Sequence, residues 1–160
     1  MKTPGNRLRN SESSRLADQL HRAFYGPAWH GPALLQLLKG VDAQTAAARP
    51  LPSAHNIWEL VLHIEAWDGA ALSRIGGKKA QLKGKRNFPP VPEVTEKAWR
   101  EAVAQAKRLH DELVKIVASL PASRLRAIVP GRRYDFYHML HGVAQHELYH
   151  AGQIAVLKKG

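Results

Sequence analysis

Apolar positions recur along this chain at helical spacing, and no stretch alternates apolar and polar residues for long enough to suggest a strand. Leu16, Leu20, Ala23 and Phe24 form a first stripe, with Ser13 or Ser14 as its expected cap and Gly26-Pro27 as its stop. A second piece starts at Gly31 and Pro32, with proline in a first-turn position, and runs through LLQLLK to Gly40. Asn56 followed by Glu59 has the form of a capping box, after which Ile57, Leu60, Ile64, Trp67 and Ala71 recur until Gly76 and Gly77. Trp99, Val103, Ala106, His110, Leu113 and Val117 make the clearest stripe, ended by Pro121. The last helix is expected over residues 134–158, with Phe136, Met139, Val143, Ile154 and Leu157 inside and Lys158 and Lys159 suiting the negative end of its dipole. Four long helices with connecting loops make a bundle the natural solution.

Length and composition narrow this picture. A chain of 160 residues, 44% hydrophobic and 23% charged, reads as one globular domain over residues 1–160, with residues 1–10 flexible. There is no cysteine, so disulfides, thiolate ligands and a cysteine nucleophile are excluded, and any metal must be held by nitrogen or oxygen. The basic, polar start lacks the apolar run of a signal peptide, and no run of apolar residues is long enough to span a membrane, so a cytoplasmic location is expected. The net charge of +11 favours anionic partners, from acidic small molecules to nucleic acid. That charge is dispersed, and its densest run, residues 78–86, lies in an expected loop. No recognition helix, zinc finger or aromatic RNA-binding run accompanies it.

The chemistry concentrates in HELYH, His146 to His150, which satisfies the H-E-x-x-H pattern of zinc metallopeptidases. Two histidines four apart on a helix differ by about 40° around the axis and roughly 6 Å along it, so both rings can reach one metal. Peptidases with this helix take a third ligand from further along, but the tail AGQIAVLKKG holds no His, Asp, Glu or Cys, and Gln153 and Val156 stand where the extended pattern has Gly and His. A third ligand must therefore come from upstream. At about 100° per residue, His146 and His150 fall on the stripe of Met139, Val143 and Leu157, whereas His141 falls opposite and Glu147 projects towards Leu140 and Ile154. Two core-facing imidazoles in adjacent turns need partners for their nitrogens and would repel if both were protonated, and a metal answers both needs. His63, at the edge of its stripe beside Asn56 and Trp67, is the best third ligand. His110 shares a core stripe, His30 and His55 fall in or near loops, and His21 and His138 project to helix flanks. A carboxylate-dominated site would instead draw on Glu59, Glu65, Asp68 and Glu147.

The segment HNIWELVLHI at residues 55–64, Trp67, WHGP at residues 29–32, the Trp99 helix and the closing HGVAQHELYHAGQIAVLKK together resemble the DinB/YfiT-like family of small bacterial four-helix proteins. The pairing of a mid-chain histidine helix with a C-terminal H-x-x-x-H-x-x-Q-I is the most specific part of the likeness. The resemblance implies an up-down-down-up four-helix bundle that holds a divalent metal, commonly nickel or zinc, on three histidines, here His63, His146 and His150, and that often dimerises. It also implies kinship with transferases and isomerases that activate low-molecular-weight thiols such as bacillithiol or mycothiol. Three neutral histidines leave a position open for water or a thiolate, the pattern of catalytic rather than structural sites. The expected function is therefore a metal-dependent thiol S-transferase or hydrolase acting on a small molecule, with Trp29, His30 and Trp67 as candidate pocket residues, and not a metallopeptidase. The rival is a non-enzymatic stress-response module with a structural metal, binding nucleic acid through its charge.

Overall fold

The computed structural model describes residues 11–159, in which seven α-helices and one 3-10 turn carry the ordered backbone and no strand occurs. The expected flexibility of residues 1–10 lies outside the described residues. The helices are α1 Glu12–Tyr25, α2 Leu34–Leu38, α3 Ala43–Ala47, α4 Ile57–Ile75, α5 Glu96–Ala118, α6 Ala122–Leu125 and α7 Phe136–Leu157, with the 3-10 turn at Gly84–Arg86. No helix among the described residues is long and apolar enough to cross a membrane.

Local chemistry sets where the long helices start. Ser11, rather than Ser13 or Ser14, caps α1 by accepting from the Ser14 amide at 3.1 Å. Ser13 is buried instead, its hydroxyl donating to the Leu120 carbonyl at 2.6 Å. The capping box of α4 forms as expected: Asn56 accepts from the Glu59 amide at 2.8 Å and Glu59 accepts from the Asn56 amide at 3.1 Å. Thr95 caps α5 and Asp135 caps α7, so the last helix begins two residues later than its apolar stripe suggests. Lys158 does not serve the carboxyl end of its own helix. Its ammonium donates to the carbonyls of Leu37 at 2.6 Å and Lys39 at 3.1 Å, satisfying the end of α2.

Each of α1 and α4 packs against both α5 and α7, so the four long helices form a closed ring around a shared interior. Trp58 near the start of α4 meets Trp99 near the start of α5 at 5.2 Å, and further along Asp68 meets His110. Arg74 near the end of α4 reaches Met139 near the start of α7, whereas His63 reaches His146. Ser13 at the start of α1 reaches Leu120 past the end of α5, and Phe24 at its end stacks on His110 at 4.1 Å. The core is divided. One apolar cluster gathers Phe24, Trp58, Ile64, Trp99, Ala106, Ala151 and Ile154, and another gathers Leu20, Ala71, Leu113, Phe136, Leu140 and Val143. Along α4, α5 and α7 the residues between these clusters include Asp68, His110 and Glu147, so a polar layer separates two apolar ones.

Candidate metal centre

Three imidazoles converge where the amino-terminal half of α4 faces the middle of α7. His146 Nε2 lies 2.9 Å from His63 Nε2 and 3.0 Å from His150 Nε2. The opposite edges of two rings are fixed. His63 Nδ1 donates to the Asn87 carbonyl at 2.5 Å, and His150 Nδ1 donates to Gln153 Oε1 at 2.6 Å. Because a carbonyl oxygen can only accept, Nδ1 of His63 carries the hydrogen and its Nε2 presents a lone pair; the Gln153 oxygen imposes the same tautomer on His150. His146 Nε2 could donate to one of these lone pairs at most. A cation accepts all three, and an outer acceptor on the far ring nitrogen is the usual support of a histidine ligand.

The spacing fits as well. Nitrogen ligands about 2.0–2.1 Å from a tetrahedral zinc stand roughly 3.3–3.4 Å apart, so His146 needs to move only a few tenths of an ångström from each neighbour. The rings are also held neutral, as ligands must be. Burial is the main cause: it takes His63 down to about 4 despite the hydrogen bond to Asn87, with His150 and His55 lowering it further. Burial, then His150 and His63, takes His146 down to about 3. His150 is lowered by burial, against the opposing effect of Gln153.

The loop after α4 closes over this centre. Phe88 stacks on His63 at 4.0 Å on one face and on His55 at 3.7 Å on the other, and Trp67 donates its indole N–H to Asn87 Oδ1 at 2.9 Å. Trp67 also sets its ring 5.7 Å from that of His146. Asn87 and Phe88 were not foreseen from the sequence, because their roles depend on a loop folding back over a helix and carry no periodic signal. Gln153 had a signal: it is one turn beyond His150 on the same helix.

Beside His146 a cavity of about 230 Å³ opens between α4 and α7, with Trp67, Arg74, Tyr134, Met139 and Gly142 in its wall. Trp67 thus borders both the centre and the cavity. Trp29 and His30 do not: both are exposed, and they edge a different surface hollow with Ala144 and Leu148. His138 is an exposed residue at the cavity wall, His141 packs edge-on against Tyr137 at 4.5 Å, and His21 stacks on Tyr25 at 4.8 Å.

A second cluster sits deeper. His110 Nδ1 is 3.2 Å from Asp68 Oδ2 and 2.9 Å from Glu147 Oε1, and all three side chains are sealed from solvent. Burial alone would lower His110, but its contacts with Asp68 and Glu147 outweigh that and raise it to about 10. Burial raises Glu147 to about 8 and raises Asp68 as well. The glutamate of HELYH is therefore turned into the core against His110, where it cannot act as the general base that a metallopeptidase needs at its metal. Among the other carboxylates weighed as ligands, Glu59 is committed to the capping box and to Arg49 and His55, and Glu65 joins neither cluster.

A family model of the DinB superfamily matches residues 28–154. The chain belongs to the DinB superfamily. The match includes both the α4 histidine and the α7 pair, and the superfamily is in general metal-binding, which agrees with a histidine trio whose donor atoms could share one ion. No curated protein and no solved structure matches this DinB chain.

Proposed function

We propose that this DinB protein is a metal-dependent enzyme, a thiol S-transferase or a hydrolase, that works on a small molecule at a divalent ion, nickel or zinc, held by His63, His146 and His150. The observation that carries the reading is the convergence of three Nε2 atoms within 3.0 Å of their neighbours, beside a cavity and with two Nδ1 atoms tied to acceptors. When bound, a divalent ion supplies Lewis acidity, polarising a carbonyl or lowering the pKa of a water or thiol. The chain's own residues do the rest. Phe88 and Trp67 cover His63 and keep bulk water from it, Asn87 and Gln153 hold the ring orientations, and the cavity beside His146 admits the substrate.

The reading also takes the ring of helices as an up-down-down-up bundle. Trp58 with Trp99 and Asp68 with His110 support parallel α4 and α5, and residues 76–95 between them are enough chain to return along the bundle. Resemblance to the family adds a homodimer to the proposal, which sedimentation at micromolar concentration tests.

Elemental analysis of untagged protein should find about one divalent metal per chain. His63→Ala, His146→Ala and His150→Ala should each lose most of it, and His141→Ala should keep it. Metal loss in the His141 variant equal to the others would overturn the ligand set. Activity follows as loss of free thiol in the presence of a small electrophile, or release of acid from an activated ester. Either must vanish with His63→Ala, and activity that survives metal removal would sink the enzymatic reading.

A further inference from the structure

The cavity beside His146 ends at a buried cation with no carboxylate opposite it among the described residues. Arg74 is 2% exposed, yet it makes no ion pair among the described residues. Its Nε and Nη2 both donate to one carbonyl, that of Ala80, at 3.2 and 2.9 Å, and Arg132 Nη2 approaches the same oxygen at 3.4 Å. The remaining arm, Nη1, meets the thioether of Met139 at 4.0 Å, a weak acceptor on a flexible side chain, and the guanidinium carbon lies 5.5 Å from the centre of the Trp67 ring, a cation–π contact that offsets only part of the cost of burial. A guanidinium stays charged at any physiological pH, and burying one without a carboxylate is costly. Elsewhere in this core a buried ionisable group does have an oppositely charged partner, as His110 has Asp68 and Glu147.

Arg132 shares the Ala80 carbonyl without lining the cavity, and no acidic side chain stands in the cavity wall, so an anion there would meet Arg74 with no carboxylate to compete. The surface between that cation and His146 is apolar and aromatic, formed by Trp67, Tyr134 and Met139. A volume of about 230 Å³ is small beside the ~300–1,000 Å³ of sites for drug-sized ligands. A phosphate would call for more free donors than remain, whereas a planar carboxylate matches the end-on fork made by Nη1 and the second N–H of Nη2.

We propose that Arg74 binds the carboxylate of a small, largely apolar acid whose body lies along Trp67 and Met139 and points its other end at His146. This rests on the metal-centre reading only for which end of the acid reacts; the acid-binding pocket itself stands on Arg74 and the cavity. Gly142 offers an independent handle, because it lines the cavity and a Cβ there meets no atom within 4 Å, so a side chain can start there without an initial clash and take up cavity space.

Isothermal titration with benzoate, and with benzamide as its neutral match, tests the proposal on metal-loaded and on chelated protein. Benzoate should bind both forms, with benzamide weaker by about tenfold or more. Arg74→Met, close in volume and without the charge, should lose that preference while keeping its metal by elemental analysis. Gly142→Leu should lose benzoate altogether and stay folded, since leucine favours a helix more than glycine does. Absence of benzoate binding at millimolar concentration, an unchanged preference in Arg74→Met, or unaltered affinity in Gly142→Leu would each overturn it. So would a preference that survives in Arg74→Met but disappears on chelation, which would put the carboxylate on the metal. Should the protein hold no metal and still prefer benzoate through Arg74, the metal-centre reading fails and the acid pocket stands.

Discussion

Two histidine clusters occupy neighbouring turns of α4 and α7, and they treat the proton in opposite ways. His63, His146 and His150 meet nitrogen to nitrogen at a cavity edge, where burial and one another's proximity keep them neutral. His110 meets Asp68 and Glu147 in the sealed layer between the two apolar clusters, where two carboxylates keep it charged. The same residue type is thus a lone-pair donor in one place and a cation in the other, and the difference lies in what stands opposite it. Three like groups facing each other without a cation have donor atoms that could share one ion. A histidine between two carboxylates already has its opposite charge, although Asp68 Oδ1, His110 Nε2 and both Glu147 oxygens have no hydrogen-bond partner among the described residues and the three donor atoms also lie close enough to share an ion.

The largest effect that could break this contrast is on stability. His110→Ala leaves Asp68 and Glu147 buried without their shared partner and removes the ring that Phe24 stacks on, so it should cost about 3–5 kcal/mol in urea unfolding. His150→Ala in chelated protein should cost less, about 1–2 kcal/mol, because it removes one of three mutually repelling acceptors. The reverse order would mean that the trio, and not the triad, is the structural element.

Next comes the pH dependence of the chelated protein, where the two clusters should fail at opposite ends. The trio has folded pKa values below the ordinary 6.5, down to about 4 for His63 and about 3 for His146, so the unfolded chain binds more protons and stability falls as pH drops below 6.5. The triad has folded values above the ordinary ones, about 10 for His110 and about 8 for Glu147. Its contribution from His110 is complete below 6.5 and lost as pH rises towards 10, and that from the Glu147 proton is lost as pH rises towards 8. Urea midpoints across this range should therefore decline on both sides. Glu147→Gln should remove the decline between about 4.5 and 8, and His146→Ala the decline below 6.5. If each variant moved both limbs equally, the clusters would not be separate titrating units.

How far this contrast could be read from sequence follows from what carries each part. Helical periodicity located all four long helices and put His146, His150 and His110 on inward faces, and the Asn56–Glu59 pair located the start of α4 to the residue. Periodicity could not announce α3 or α6, which complete barely one turn each. Projection also placed Glu147 away from the other histidines, but only packing reveals that α5 brings His110 to meet it. The basic run of residues 78–86 read as a solvated loop and is largely exposed; its continuation supplies Asn87 and Phe88 to the centre through contacts with no helical spacing behind them. Trp29 and His30 show the same limit from the other side: their proximity to a family motif said nothing about which surface they face.

The smallest effect expected is also the one that separates ligands from their supports. Gln153 does not reach the shared centre; its oxygen accepts from His150 Nδ1 at 2.6 Å, fixing the tautomer that leaves Nε2 free to bind. Without it, His150 can place its proton on Nε2 and can turn about its own bonds, so each binding event must first restore the right state. Gln153→Ala should therefore weaken metal affinity about tenfold, the lower end of what loss of such an outer partner costs, or about 1.4 kcal/mol. Stoichiometry at saturating metal should stay the same, because all three donor nitrogens remain. Competition against a chelator of known strength reads affinity and stoichiometry together. Loss of stoichiometric binding would make Gln153 a ligand, and unchanged affinity would mean that packing against Tyr149, whose ring lies 5.0 Å from that of His150, is enough to hold the imidazole in place.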